Sequence, residues 1–401
     1  MRKLRYCGAV SVIVVGAIAG AHLTKAAQPA RQPLQSLLLS KVEIEQVLKH
    51  GPWPPPLKPD PSNNASGNAA AVAFGRLLFF ETRLSADGKM SCATCHQPDR
   101  AWSDGQSLGQ PNVVKQDRNT QSLIDVRFNR WFGWGGQGDS LWSQSIRPII
   151  APEEMNASTG HVIGLLADDQ HLSLHYVNVF GVPAKRHEPE QALANVGKAL
   201  AAFQETLVSP RTSFDEFRDA LAVKNWKAAA EYPLVAQRGA KIFAGRGRCN
   251  VCHVGPRFTS GEFHDAGVPY FIAPGRVDPG RFNGITAVKR NPWNLSSRHN
   301  DDQEKTGAWA TKQVTRLHRN FGEFRIPTLR NLTATAPYMH NGSLPTLERV
   351  VRHYSEINIE RLHADGERIL RPLNLSNQEL ADMVAFLRTL STWTPRTPPR
   401  E

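Results

Sequence analysis

Hydrophobic positions recur with helical spacing in several parts of the 401-residue chain. Residues 71–80 carry one such pattern, and Ser376 with Glu379 forms a capping-box pattern before an apolar face at 380–387. Another apolar period runs through Leu193, Val196, Leu200, Phe203 and Leu207. Strand-like alternation is scarce. The pattern therefore predicts a mostly α-helical fold.

The N-terminal region divides into two predicted parts. The basic start Met1–Arg5 and the apolar stretch Tyr6–Leu23 are typical of an export signal, so residues 1–27 are interpreted as a signal peptide or an N-terminal anchor. Cys7 lies in this part and is interpreted as a spectator thiol. Residues 28–70 are rich in Pro, Ser and Asn and predict an extended lead-in without chemistry of its own.

Length and composition favour two compact globular domains. Hydrophobic residues make up 40% of the chain, which is enough for sizeable cores. The net charge of +12 comes from scattered Lys and Arg residues, and no nucleic-acid-binding signature accompanies it. No nucleic-acid partner is therefore predicted. The polar stretch 269–324 lacks periodicity and is interpreted as an insertion loop.

One short motif, Cys-x-x-Cys-His, occurs twice. It spans Cys92, Cys95 and His96, and it recurs at 249–253 with Cys249, Cys252 and His253. Two thiols at this spacing add across the vinyl groups of one haem, and the adjacent histidine ligates its iron. A redox thiol pair, a zinc site or structural disulfides also use paired cysteines, but none of them requires both histidines. The motifs predict two covalently bound c-type haems, and export agrees with this because such haem is attached outside the cytoplasm.

The sequence around these motifs resembles the diheme cytochrome c peroxidase/MauG family over roughly residues 70–392. The resemblance is carried by residues 75–85, 238–243, 326–331 and 336–343. It implies two cytochrome c-like helical domains, each with one haem, at 71–220 and 221–395. The first haem would react with hydrogen peroxide, and the second would be six-coordinate.

The segment 134–155 resembles the distal side of the peroxide-reacting haem in that family. The match implies that Gln144, Pro148 and Glu154 lie over the first haem. Glu154 would be the acid/base and Gln144 the hydrogen-bond donor, while Glu153 is the alternative to Glu154. Without the resemblance, the two glutamates would be interpreted as a solvated helix start.

No histidine follows His96 before His161, so the sequence does not offer the second histidine that closes this haem in some members of the family. The first iron is therefore predicted to keep an open position. Trp134 matches the tryptophan between the two haems in the family and is predicted to relay electrons between them. Trp131 and Trp142 are its neighbours in sequence, and the alternative is that all three are core residues.

At the second haem the proposed ligands are His253 and Tyr354. In the segment 346–354, one face at helical spacing is formed by Leu347, Val350, Val351 and Tyr354, whereas His353 points elsewhere. Tyr354 matches the tyrosine ligand of MauG-type enzymes, where cytochrome c peroxidases have methionine. Met339 is interpreted as a packing residue.

The resemblance also implies a calcium ion between the haems, with oxygen ligands from Asn119, Thr335 and Pro337. The alternative is that Asn119 only shapes a turn.

Two enzyme hypotheses and one further hypothesis follow for a periplasmic protein of this family. The first is MauG-like oxidation of a partner protein, which Tyr354 favours, and the segment 132–142 resembles the subgroup that includes MbnH. The second is a peroxidase that reduces hydrogen peroxide with electrons from a small redox protein, either a cytochrome c or a copper protein. A basic surface would suit an acidic redox partner. The third is a diheme electron-transfer cytochrome.

Overall fold

The computed structural model describes residues 37–109, 116–269, 271–362, 364–366 and 369–393. The signal segment predicted at 1–27, including Cys7, lies outside these residues. None of the described helices is long and apolar enough to cross a membrane.

The described part of the chain is mostly helical, which confirms the predicted fold class. Its α-helices are α1 Lys41–Leu48, α2 Ala69–Phe80, α3 Cys92–Cys95, α4 Leu141–Ile150, α5 Thr159–Asp168, α6 Gln170–Phe180, α7 Pro189–Gln204, α8 Ser213–Ala222, α9 Trp226–Ala229, α10 Leu234–Ala244, α11 Arg281–Arg290, α12 Trp309–Gln313, α13 Leu347–Ser355 and α14 Asn377–Arg388. The short strands β1 Phe263–His264 and β4 Phe324–Arg325 pair antiparallel, as do β2 Phe271–Ala273 and β3 Arg276–Val277.

The described residues form one compact unit, and most of their buried apolar side chains belong to two clusters. In the first cluster, α2 and α4 pack on α7. The contact of α2 with α7 is close at Gly75, where a Cβ atom would lie 1.9 Å from the carbonyl oxygen of Ala199. Any side chain at this position would therefore push the two helices apart.

The second cluster is built from α8, α10, α13 and α14. Helix α14 begins with the predicted capping box, in which Ser376 accepts from the backbone of Glu379 and the Glu379 carboxylate accepts in return. The domains at 71–220 and 221–395 remain a prediction, and α8, most of which falls in the first of them, packs in the second cluster.

Two segments that were predicted to lack regular secondary structure contain some, so these predictions are wrong in part. The lead-in predicted as extended at 28–70 contains α1, which begins with a capping box of Ser40 and Glu43 and buries Val47 in the second cluster. The insertion predicted at 269–324 contains β2, β3, α11 and α12. Long-range packing holds both segments in place, since α1 packs on α8 and α10, and α11 lies against the backbone of Gly135.

Candidate active site

The first Cys-x-x-Cys-His motif forms one helical turn. Helix α3 holds Cys92 and Cys95, and His96 follows directly at its C-cap. The Nδ1 atom of His96 lies 3.1 Å from the carbonyl oxygen of Trp102. Because a carbonyl only accepts, Nδ1 carries the proton and Nε2 keeps its lone pair for a metal.

The second motif repeats this arrangement. Cys249 begins a 3-10 turn, and the Nδ1 atom of His253 donates to the carbonyl oxygen of Phe258 at 2.8 Å. Both accepting residues are bulky aromatics in the left-handed region, with φ of 60° at Trp102 and 54° at Phe258. Large side chains rarely adopt this conformation, so each turn orients its carbonyl toward a histidine at some backbone strain.

The protonation states also suit metal ligation. Burial lowers the pKa of His253 to about 4 and lowers the pKa of His96, so both imidazoles are neutral at ordinary pH. A neutral imidazole with a hydrogen-bonded Nδ1 is the form that binds metals through Nε2.

The rival interpretations of the cysteines find no support. The four motif cysteines are not joined in disulfides. Among the described residues, no cluster of three or more His, Cys, Asp or Glu side chains suits a metal ion such as zinc.

A cavity of about 760 Å³ adjoins the first motif. Gln144, Pro148 and Glu154 line it together with Cys92 and His96. The structure therefore brings the three predicted distal residues into one cavity with the motif. Among the described residues that line it, His96 is the only histidine, which fits a site with an open position.

Helix α4 places Gln144 and Pro148 one turn apart. Pro148 lacks an N–H group, so the carbonyl of Gln144 loses its helical hydrogen bond. The side-chain Oε1 atom of Gln144 is buried without a hydrogen-bond partner in the protein. A buried amide oxygen normally accepts a hydrogen bond, so this Oε1 atom is available to accept one from a molecule bound in the cavity.

The two candidate glutamates differ in exposure. The Glu154 side chain is 23% exposed and the Glu153 side chain 45%, although both line the first cavity. Burial raises the pKa of Glu154, and the nearby Arg147, 3.2 Å from its carboxylate, acts in the opposite direction. The more buried carboxyl with a raised pKa is the better candidate for proton transfer.

A smaller cavity, of about 290 Å³, adjoins the second motif. Tyr354 on α13 lines it together with Cys249, Cys252 and His253. Burial raises the pKa of Tyr354, and the thiols of the motif add to this effect. The predicted face of α13 is therefore the one that meets the cavity.

The neighbours of Tyr354 are also where the sequence places them. The Nε2 atom of His353 bonds to the carbonyl oxygen of Ala266 at 2.8 Å, and His353 does not line the cavity, so the prediction that it points elsewhere is confirmed. Met339 lines the cavity, and its interpretation as packing rather than a ligand stays a prediction.

Trp134 lines both cavities. Its Nε1 atom donates to the carbonyl oxygen of Asn119 at 2.8 Å, which fixes the indole in the partition between the two sites. Trp131 and Trp142 are buried and line neither cavity. Of the three neighbouring tryptophans, the position of Trp134 is therefore the one that suits a relay.

The three predicted calcium ligands, Asn119, Thr335 and Pro337, all line the second cavity. The backbone oxygen of Asn119 is engaged by Trp134, and its side-chain nitrogen donates to the carbonyl of Gln106. The calcium ion stays a prediction.

Sequence reasoning missed part of the first cavity wall. Helix α11 contributes Asn283, Gly284 and Ala287. At Gly284 a Cβ atom would lie 1.8 Å from the carbonyl oxygen of Gly135, so the helix rests directly on the loop after Trp134. No local pattern marks this contact, because it joins positions about 150 residues apart.

The two cavities fit haem. Each has a pair of cysteines that are not joined in a disulfide and a neutral histidine whose Nε2 can ligate a metal, and the first has a buried amide oxygen, Oε1 of Gln144, without a hydrogen-bond partner in the protein. These residues would hold one haem in each cavity, and the role of Tyr354 as a ligand in the second stays a prediction.

Comparisons with known proteins agree with this geometry. A family model described as "Di-haem cytochrome c peroxidase" matches residues 69–221, and one described as "RoxA-like, cytochrome c-like" matches 324–356. The methylamine utilization protein MauG of Methylorubrum extorquens is 34% identical over 80% of this chain and 77% of its own. This chain belongs to the di-haem cytochrome c peroxidase and MauG family. It is thus an oxidoreductase of the diheme peroxidase type.

Both cytochrome c peroxidases and MauG-like proteins of the family are similar to this chain. The cytochrome-c peroxidase IdrP1 of Denitromonas iodatirespirans is 34% identical over 86% of this chain and 87% of its own. The solved structure of a MauG-like protein associated with microbial copper homeostasis has a TM-score of 0.64 at 25% identity, over 87% of this chain and 98% of that one. Family membership supports haem cofactors and reaction with peroxide, and it leaves the specific role open.

Proposed function

We propose that this protein uses hydrogen peroxide to oxidise a partner protein, as MauG-like members of the family do. The observation that carries the proposal is Tyr354, which lines the second cavity with Cys249, Cys252 and His253. A phenolate ligand stabilises oxidised iron, whereas the thioether of methionine favours reduced iron. The tyrosine therefore favours a second haem that stores oxidising equivalents. It is less suited to a haem that only passes electrons to the first site.

Bound haem supplies the iron at which peroxide is reduced and the capacity to store oxidising equivalents. The protein's own contribution at the first site is proton movement and hydrogen bonding. Glu154 accepts a proton from one peroxide oxygen and returns it to the departing one, and Arg147 holds its carboxylate in place. Gln144 lines the same cavity, and its side-chain N–H group donates a hydrogen bond to the departing oxygen.

Trp134 connects the two sites in this proposal. Its indole lines both cavities and is fixed by Asn119, so it offers an aromatic path for an electron between them. A partner too large for the first cavity would lose electrons through the protein instead of entering. The similarity to the methylamine utilization protein MauG supports the MauG-like interpretation.

The basic N-terminus followed by an apolar stretch supports a periplasmic location, where c-type haem is attached. The second candidate function is a peroxidase fed by a small redox protein. The similarity to cytochrome-c peroxidase IdrP1 favours this candidate.

Two probes separate the candidates. Holoprotein and its Tyr354→Met variant are each mixed with hydrogen peroxide and either reduced horse cytochrome c or a tryptophan-containing peptide. We expect the wild type to oxidise the peptide, seen by mass spectrometry as added oxygen or lost hydrogen, and the variant to lose this activity. Rapid turnover of reduced cytochrome c with an unmodified peptide would favour the conventional peroxidase instead.

A further inference from the structure

The partition between the two cavities contains two arginine side chains without an acidic partner. They are Arg257 and Arg325. Among the described residues, neither guanidinium has a carboxylate oxygen within ion-pair distance, and the Nε atom of each is buried without a hydrogen-bond partner. A buried charge without an opposite charge is costly, so this arrangement calls for an anion.

Arg325 is the more buried of the two, with 6% of its surface exposed. Its side chain lines both cavities, and its backbone N–H donates to the carbonyl of Trp134 at 2.8 Å. The side-chain bond from its Nη1 atom to Asn129 Oδ1 is 3.4 Å long and therefore weak. Burial lowers the pKa of Arg325 to about 9, and the charge of Arg257 adds to this effect.

Arg257 meets the same amide. Its two Nη groups donate to Asn129 Oδ1 and to the carbonyl oxygen of Phe128. The carboxylate of Asp125 attracts Arg257 through space, but its oxygens already accept from the backbone and hydroxyl of Ser209. Both arginines thus share one neutral acceptor, Asn129, which carries no compensating charge.

Two other arginines that line the cavities have acidic partners. Arg330 donates two hydrogen bonds to the carboxylate of Asp215, at 3.0 and 2.7 Å. Arg118 makes a similar pair with Asp278, at 2.6 Å for both bonds. The protein therefore supplies a carboxylate for these two arginines and supplies none for Arg257 and Arg325, which face the cavities.

We propose that Arg325, assisted by Arg257, is a carboxylate-binding site, and that the anions it binds are haem propionates. Haem is the molecule that both Cys-x-x-Cys-His motifs call for, and it carries two carboxylates. The planar guanidinium matches a carboxylate with paired hydrogen bonds. Since Arg325 lines both cavities, it reaches carboxylates from either side of the partition. This inference rests on haem binding and is independent of which substrate is oxidised.

The site has a consequence for electron transfer. Arg325 places a positive charge between the two cavities, next to Trp134. A positive charge near a haem stabilises the reduced iron and raises the reduction potential. Removing it should therefore lower that potential while leaving the cysteine and histidine ligands in place.

The test compares Arg325→Gln and Arg325→Lys with the control Arg316→Gln, all as holoproteins. Arg316 lies over the ring of Phe282 and lines neither cavity. Resonance Raman spectra follow the propionate bending bands, and spectroelectrochemistry gives the reduction potentials. We expect Arg325→Gln to shift a propionate band and lower at least one potential. Arg325→Lys keeps the positive charge but lacks the planar guanidinium, so it should shift the propionate band with a smaller change in reduction potential. The control Arg316→Gln should match the wild type in both measurements.

Two results would overturn the proposal. If an Arg325 variant that retains both haems has unchanged propionate bands and reduction potentials, Arg325 does not bind a propionate. A wild-type potential that changes with chloride or phosphate concentration, together with unchanged propionate bands in Arg325→Lys, would show that the arginines bind a free anion. The wild-type titration and the lysine variant decide the question even if Arg325→Gln fails to fold.

Discussion

The Arg147 guanidinium lies 3.2 Å from the Oε1 atom of Glu154, at the wall of the first cavity. Replacing Glu154 with Gln keeps the shape and removes the proton acceptor. We expect the reaction with peroxide to slow by about 10²-fold or more, the usual loss for general acid/base catalysis. Stopped-flow absorption at the first haem measures this rate. A Gln144 substitution should slow the reaction less.

The matched control is Glu153→Gln, because Glu153 also lines the cavity but is nearly twice as exposed. It should react at close to the wild-type rate. If Glu153→Gln is the slow variant and Glu154→Gln is not, the proton acceptor has been assigned to the wrong residue.

The same carboxyl sets an expected pH dependence. Burial raises the pKa of Glu154 above its ordinary value, and only the deprotonated form accepts a proton from peroxide. The rate constant should therefore be at its maximum above this raised pKa and fall as the pH drops through it. Stopped-flow measurements across the acid range should show this titration in the wild type and not in Glu154→Gln. An identical profile in both proteins would assign the titration to another group.

Trp134 is expected to control transfer between the two sites. In Trp134→Phe the ring remains apolar but loses both the indole and the hydrogen bond to Asn119. Peroxide should still react at the first haem, and the second haem should respond more slowly. Rapid-mixing spectra that separate the two haems test this. Trp131→Phe is the control, since Trp131 is buried and lines neither cavity. Equal transfer rates in Trp134→Phe and the wild type would exclude the relay.

Covalent haem attachment is checked by mass. Protein matured in a host that makes c-type cytochromes should carry two haem additions, and the Cys249→Ala/Cys252→Ala double variant should carry one. A haem stain on a denaturing gel should remain positive in both. Fewer than two additions to the wild type would contradict the diheme assignment.

The sequence predicts the haem-binding residues of this site better than the residues that form the walls of its cavities. The two Cys-x-x-Cys-His motifs are local, so their spacing alone indicates haem, and helical periodicity places Tyr354 on the face of α13 that meets the cavity. Arg325 and Asn129 could not be found in this way, because they are separated by 196 residues and meet only in the folded protein.

Some structure that the sequence analysis missed did have a signal. Ser40 and Glu43 have capping-box spacing, which marks the start of α1 inside the lead-in predicted as extended. The contact of Gly284 with Gly135 had none, since a glycine that allows close approach is not distinguished by sequence from one in a turn.

The central claim is that Tyr354 and His253 hold the second haem while the first keeps an open position. The most direct measurement is a combined EPR and resonance Raman spectrum of the oxidised holoprotein, with Tyr354→Met for comparison. The account predicts tyrosinate vibrations from one haem in the wild type, a high-spin signal from the other, and loss of the tyrosinate bands with a raised reduction potential in the variant. Methionine or histidine opposite His253 in the wild type would contradict the account and favour a conventional peroxidase.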